Sequence, residues 1–302
     1  MTLQFFELPW EAMVKVSGED ALPYLQSQMS IDFQKLPVGS TRLGLRLSLK
    51  GRVLFGAQVI RTDEEEFLLA CQETPAEQII ELLEENVVAD EVEFEQLPGA
   101  WKAMVLSSSN GIEEAFDFAG MNSIPSGAAK EYEKGWAYLD PLLPAGCLTI
   151  LLPEETSPKW SENQPITPVS TLELSRMQAG LFRPGLEIGA EEFPQEGGLE
   201  RIAVDFDKGC YLGQEVMARI HAMGNVRKQA VVVQGSGSSQ ETMPSNLMLE
   251  GKRVGILKNQ FSMPDTDEWF GTAILHENAL PSLDNDTIVF ETNGQSIIPL
   301  KI

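Results

Sequence analysis

The sequence predicts an α+β fold whose C-terminal part is a small β-barrel or sandwich, and three observations carry that prediction. "TRLGLRLSLKGRVLFGAQVIR" reads as two alternating strands around a turn at Lys50-Gly51, and "EEFLLAC" adds a third, which makes an antiparallel meander. The most strongly marked helix, "TPAEQIIELLEENV", follows that meander and is not threaded between parallel strands. From Gln229 onward, short apolar runs alternate with Gly, Pro, Ser and Asn.

In chain order, "EAMVKVSG" alternates as a strand, and Ser17 with Asp20 forms a capping-box pattern that starts a helix at Ser17. In the helix at 74–87, Thr74 is the expected N-cap, Pro75 the first helical residue and Glu77 the closing acid, with Ile79, Ile80, Leu82 and Leu83 on one face. "EVEFEQL" and "WKAMVLS" return to strand pattern. Residues 107–167 read as mostly irregular, with strands at "WAYLD" and "LTILLP". A helix is predicted from Thr167-Pro168 through "STLELSRMQAG", followed by the Gly/Pro-rich "LFRPGLEIGAEEFPQEGG", whose length and apolar spacing mark a binding loop. "IAVDF" reads as a strand end, and "GQEVMARIHAM" as a helix. Strands then follow at "QAVVVQ", "NLMLEGKRVGILKN", "WFGTAIL", "TIVFET" and "QSIIPLKI".

A chain of 302 residues exceeds one ordinary core, which predicts a large discontinuous domain or two to three smaller ones; the boundary is expected between residues 1–228 and 229–302. Twenty-two basic against 45 acidic residues give a net charge of −23, which opposes direct nucleic-acid binding. Cys71, Cys147 and Cys210 are odd in number, far apart and without a CxxC pair, so neither a disulfide framework nor a metal knuckle is expected. The N-terminus has no signal-peptide pattern and no apolar run reaches membrane length, so the expectation is a cytoplasmic protein without a membrane partner.

"GSGSSQ" at 235–240 lacks a third glycine and a following helix, so it is read as a loop and not as a dinucleotide site. His221 and His276 stand apart from each other and from any HExxH pattern. "DFDKGCYLGQEVMAR" is different, because Lys208, Cys210, Tyr211, Gln214 and Glu215 crowd one predicted strand-to-helix junction. Gly209 is expected to allow the turn and Cys210 to lie just ahead of a helix N-terminus. There the helix dipole and Lys208 would lower a thiol pKa of about 8.5, while Asp205 and Asp207 would raise it. The alternative is that Cys210 is a small buried apolar residue beside a plain turn. Arg176, Gln178 and Glu196 supply a second polar set, or simply solvated surface.

"KGCYLGQE" resembles the signature of the YgfZ family, folate-binding proteins related to the T-protein (aminomethyltransferase) of glycine cleavage and implicated in maturation or repair of iron–sulfur proteins. "VSGEDALPYLQSQMSIDFQKL", "LKGRVLFGAQVIR", "SRMQAGL", "FPQEGGLE" and "GKRVGILKNQ" extend the similarity over most of the chain. The resemblance implies a ring of three subdomains, α+β in the first two and a β-barrel in the third, with tetrahydrofolate near a central channel. Lys208 and Cys210 are then the expected chemically active pair, with Tyr211, Gln214 and Glu215 beside the ligand. It further implies that Asp32, Gln178 or Glu196 accept hydrogen bonds from the pterin edge, and that Lys50 and Arg176 meet the tail carboxylates.

Two departures from the T-protein bear on activity. A glutamate of its R-x-E-A-G segment is Gln178 in this chain, and its acidic pair aligns with Leu54 and Phe55, which cannot relay a proton. The expected function is therefore an accessory protein that binds a reduced folate and serves iron–sulfur client proteins, with no metal of its own. A folate-dependent one-carbon transferase is the enzyme alternative, and a folate-independent scaffold with a buried Cys210 is the third.

Overall fold

Consecutive strands at the N-terminus feed two different sheets. In the computed structural model, which describes residues 3–224, 226–237, 243–279, 290–292 and 295–299, β1 (Leu3–Trp10) and β2 (Ala12–Ser17) part company at Glu11. β2 joins β3 (Thr41–Leu47), β4 (Val53–Asp63), β5 (Glu66–Cys71) and β6 (Glu93–Gln96) in a first antiparallel sheet of order β3-β4-β5-β2-β6. β1 joins β7 (Trp101–Ser108), β8 (Ala129–Tyr132), β9 (Gly135–Tyr138) and β10 (Cys147–Pro153) in a second, of order β1-β7-β10-β9-β8. β1 carries apolar residues on both faces, so it shows no alternation to be read in advance.

The first sheet is covered on both sides. α1 (Ala21–Gln28) and α2 (Ala76–Glu84) pack Leu25, Ile79 and Leu83 against Val14, Phe55, Val59 and Leu69. On its other face Met13, Ile60 and Leu68 meet Trp10, Trp101, Tyr138 and Leu151, which joins the first sheet to the second. α3 (Ile112–Ala119) lies on the second sheet through Phe116 and ends on Gly120, whose φ of 66° closes the helix in the left-handed region. This helix falls inside the stretch read from sequence as irregular, because loop signals flank it on both sides.

Two expected helix starts and one expected strand are corrected. α1 begins at Ala21, not Ser17, because the Asp20 carboxylate accepts the Glu91 N–H instead of capping its own helix. α2 has Pro75 as N-cap and no side-chain cap from Thr74, which is buried. "IAVDF" is not a strand: Glu200–Ala203 form the short α5, and Val204-Asp205 run extended after it. α4 (Val169–Gln178) and α6 (Gln214–Met223) occupy their predicted segments.

Beyond α6 the chain forms a third antiparallel sheet from β11 (Lys228–Ser236), β12 (Ser245–Leu249), β13 (Lys252–Leu257), β14 (Phe261–Ser262), β15 (Glu268–His276), β16 (Phe290–Thr292) and β17 (Gln295–Pro299). β11 pairs with β15 along one side and β17 along the other, so the sheet curls on itself around Val233, Leu247 and Trp269. Much of "TIVFET" and of "GSGSSQ" lies outside the described residues. Leu43, Leu45 and Leu47 of β3 share a core with Phe182, Met217, Ala230 and Phe270, which ties the first sheet to this curled one. The chain is thus α+β throughout, and no helix among the described residues is long and apolar enough to cross a membrane.

A glycine test separates backbone contact from mere turn propensity. A Cβ on Gly135 would stand 1.9 Å from the Leu151 carbonyl oxygen, where β9 meets β10. Gly135→Ala is expected to lower stability by roughly 1–3 kcal/mol in urea denaturation. Gly209→Ala, which meets nothing within 4 Å and needs no positive φ, is expected to stay within about 0.5 kcal/mol of the parent. The latter corrects the expectation that Gly209 is there for its turn.

Candidate functional site

The expected site residues fall into separate places, and one of those places is a mechanical joint. Arg176, on α4, is fully buried and uses every N–H of its guanidinium. Nε and Nη2 donate to Glu173, Nη2 and Nη1 to Glu187 at 2.7 and 3.1 Å, and Nη1 to the Leu181 carbonyl at 2.8 Å. Arg183 extends the cluster at 2.6 Å to both Glu173 and Glu73, and Asn259 of the curled sheet donates to Glu187 at 2.6 Å. Burial works against charge on Arg176, but Glu187 and Glu173 hold its pKa above the ordinary arginine value. Arg176 therefore has no donor left for a folate tail, which corrects the expectation drawn from the resemblance.

The second place is the cysteine loop. Lys208 is 6% exposed, and its ammonium donates to three backbone carbonyls, those of Gln26, Met29 and Ile31, each at 2.6 Å. Burial pulls its pKa down to about 8, with Asp32 and Asp205 opposing, so it carries a charge at neutral pH. Asp205 accepts the Asp32 N–H at 2.6 Å and a two-pronged contact from Arg42 at 2.6 and 2.8 Å. Leu212 donates to the Ser27 carbonyl. The loop is thus sewn onto the end of α1, and Lys208, proposed from sequence as chemically active, spends its donors on that seam.

Cys210 is exposed on this pinned loop, whereas Cys71 and Cys147 are buried, and burial pushes both of those thiols up. The buried-cysteine alternative is therefore overturned for Cys210. Its place ahead of α6 is as expected, but α6 starts at Gln214 after its N-cap Gly213, and a helix-end field fades within a turn. Tyr211 is buried with an unpaired hydroxyl, 5.0 Å from ring centroid to the Lys208 nitrogen, and burial raises its pKa to about 12. Gln214 reaches the Lys208 carbonyl at 3.3 Å, while Glu215 points to solvent in the first turn of α6. Asp32 sits beside this group, its pKa lowered by Lys35 at 2.8 Å.

The remaining expected residues lie elsewhere. Lys50 is exposed in the β3–β4 turn, which packs Gly51 near Val216 of α6. Gln178 lines a 290 Å³ cavity with Trp269 and Met263, and Glu196 lines another of 510 Å³ beside β11. His221 stacks on Phe206 with ring centroids 3.9 Å apart, and His276 is exposed at the end of β15.

A fourth place was not legible in the sequence. Where both N-terminal sheets meet the loop after α4, Trp10, Gln58, Gln72, Asp140, Leu142 and Arg183 line a small central cleft of about 20 Å³. The Trp10 indole N–H and Gln58 Oε1 are buried there without partners, and the nearby Tyr138 hydroxyl is unpaired as well. Burial raises the Asp140 pKa, opposed by the Leu142 N–H, Arg183 and Arg176. Gly56 leaves room for Pro184 at this junction, since a Cβ on it would lie 2.2 Å from the proline ring. These residues come from distant segments with no shared motif; a buried Gln in a strand, Gln58, was the one available signal.

The geometry supports two stability predictions. Arg176→Met is expected to cost about 3–5 kcal/mol in urea, because it strands Glu173 and Glu187 in the interior. Lys208→Met leaves three carbonyls short of a donor, and is expected to cost upwards of ~2 kcal/mol and to speed backbone hydrogen exchange across residues 205–213. A cost below 0.5 kcal/mol, within the usual range of surface changes, would show that the seam is not what holds the loop.

Comparison with known proteins follows the same lines. Residues 3–110 match the family model of the GCVT N-terminal domain. The chain is 25% identical to a tRNA-modifying protein YgfZ of Vibrio atlanticus, over 92% of this chain and 84% of that protein. It is 24% identical to an aminomethyltransferase of Listeria innocua, over 93% and 80% respectively. A mitochondrial iron–sulfur cluster assembly factor homologue of Eremothecium gossypii is 32% identical, over 34% of this chain and 22% of its own. The glycine cleavage system aminomethyltransferase T from Bartonella henselae superposes with a TM-score of 0.76 at 14% identity, covering 100% of this chain and 85% of that one, which shows the shared fold. These matches make the chain similar to the tRNA-modifying protein YgfZ and, over residues 3–110, to the GCVT N-terminal domain, which is the resemblance its "KGCYLGQE" segment carries.

Proposed function

We propose that the protein binds a reduced folate, tetrahydrofolate or a close relative, in the central cleft and supports iron–sulfur client proteins through the exposed Cys210. The observation that carries the ligand reading is the set of unpaired buried polar groups around Asp140, since such groups are costly unless something completes them. A carboxylate, two amides and an indole N–H match the donors and acceptors of an amino-oxo pterin edge. Room is the constraint: 20 Å³ is about the space of one water, so binding a pterin requires the cleft to widen. The partner reading rests on the iron–sulfur assembly relatives and on the sulfur's position, outward on a loop that Lys208 keeps rigid.

In this reading the ligand and the thiol are separate stations. Cys210 lines none of the three cavities described above, which supports a protein partner for it over the pterin. The division of the chain at 228 into a folate-binding region and a C-terminal barrel belongs to the same proposal, as does a cytoplasmic setting.

Titration with tetrahydrofolate tests both parts. Cys210→Ser is expected to bind like the parent yet fail to restore iron–sulfur enzyme activity in cells, and Asp140→Asn to bind at least about tenfold more weakly. Protons compete with the pterin for the Asp140 carboxylate, so affinity is expected to fall as pH drops through its raised pKa, and the Asn variant to show a flatter profile. Equal folate affinity in the parent and Asp140→Asn would remove the central cleft from consideration. Turnover of a one-carbon donor by the purified protein would favour the transferase alternative.

A further inference from the structure

Between α4 and the curled sheet lies the 290 Å³ cavity that Gln178 borders, and it shares no residue with the central cleft or with the cavity at Glu196. Strand register builds its sheet side. Ile298, Gln234 and Phe270 stand level across β17, β11 and β15, and Ser236 is level with Glu268 one pleat further along the same face. Leu174 and Gln178 come from α4, one turn apart, and Met263 follows β14. Trp269 belongs to the opposite face, in the core of the curled sheet, but a Gly235 Cβ would stand 2.5 Å from its indole edge, so the ring backs the cavity where the strand is bare.

The charge around this cavity has one sign. Glu268 is the one charged residue among the described residues that line it, and its carboxylate has no basic partner among them. Asp265 and Asp267, in the turn ahead of β15, add to it. Neither 229–251 nor 259–300 contains a lysine or an arginine, and Arg176 of α4 is sealed in its own ion cluster. The net charge of −23 acts in the same direction at longer range. A carboxylate and two amide oxygens accept from a cation rich in N–H, and Phe270, Met263 and Leu174 offer an apolar surface to whatever carries it. We propose that the cavity binds a small molecule with a planar amidinium or guanidinium group on an apolar body. The cation meets Glu268 and the amide oxygens of Gln178 and Gln234, and the body lies against Phe270 and Met263. The site is independent of the folate reading for the central cleft.

Benzamidine, its neutral isostere benzamide and the anion benzoate test this on the full chain, by calorimetric titration and by NMR of methyl-labelled methionine, with Met263→Leu identifying the Met263 signal. Benzamidine is expected to bind at millimolar concentrations and shift that signal, benzamide to bind at least about threefold more weakly, and benzoate more weakly still. Glu268→Gln is expected to abolish the preference for the cation and Glu268→Lys to turn it toward benzoate. Glu277→Gln, past the far end of β15, removes the same charge from the chain and is expected to change nothing. Both positions are exposed, so the melting temperatures of these variants should match the parent. The proposal is overturned if benzamidine leaves the Met263 signal unmoved, if benzamidine and benzamide bind equally, if Glu268→Gln keeps the preference, or if Glu277→Gln loses it. Tetrahydrofolate affinity should be unchanged in Glu268→Gln; a loss there would give the cavity to the folate and overturn its independence.

Discussion

A single buried cation, Arg176, holds the parts of this protein in register. Its guanidinium ties α4 to the loop at 181–188, Arg183 carries the connection to Glu73 after β5, and Asn259 carries it to the curled sheet. Ions removed from water cost several kcal/mol each, so such a cluster adds less to stability than its short distances suggest. Its value is directional. Planar, two-pronged contacts tolerate few orientations, whereas the leucine-rich surfaces of β3 would accept many. Hydrophobic burial brings the sheets together, and the ion cluster decides how they sit.

That division explains why the cysteine loop can present its sulfur to solvent without being a loose loop. An exposed segment of Gly, Cys and turn residues would ordinarily sample many conformations. Here Lys208 reaches inward to three carbonyls, Asp205 is held by Arg42 and the Asp32 N–H, and Gly213 nestles under Ser48 of the β3–β4 turn. The segment is anchored on both sides of Cys210, so the entropy of ordering it is met during folding and not on meeting a partner.

Much of the fold was legible because its signals are local. Alternation marked β3, β4 and β5, and the i, i+3, i+4 apolar spacing marked α2. β1 was missed because burial on both faces erases alternation, and α3 because eight residues between loop signals make a weak pattern. The site residues were harder. "KGCYLGQE" led to the right loop, yet an arginine or lysine in sequence does not say whether it faces a ligand or the protein's own carbonyls. Arg176 and Lys208 both proved to be internal ties. Asp140, Gln58 and Trp10 come from three strands or strand ends of two sheets, and only the tertiary fold brings them together.

The central cleft also bears on the enzyme alternative, a folate-dependent one-carbon transferase. Leu54 and Phe55 stand where the resemblance to the T-protein implies an acidic pair, and Phe55 is fully buried in the core under α1 and α2. The carboxylate in the cleft is Asp140 instead, just beyond β9, with Oδ1 already accepting the Leu142 N–H at 2.8 Å. One oxygen committed to the backbone leaves the other to accept from a ligand. A proton-transfer group needs freedom to pass the proton onward, whereas a recognition group needs a fixed direction. Asp140 is held in the second manner, which on the proposed reading favours holding a polar ring edge over working on it.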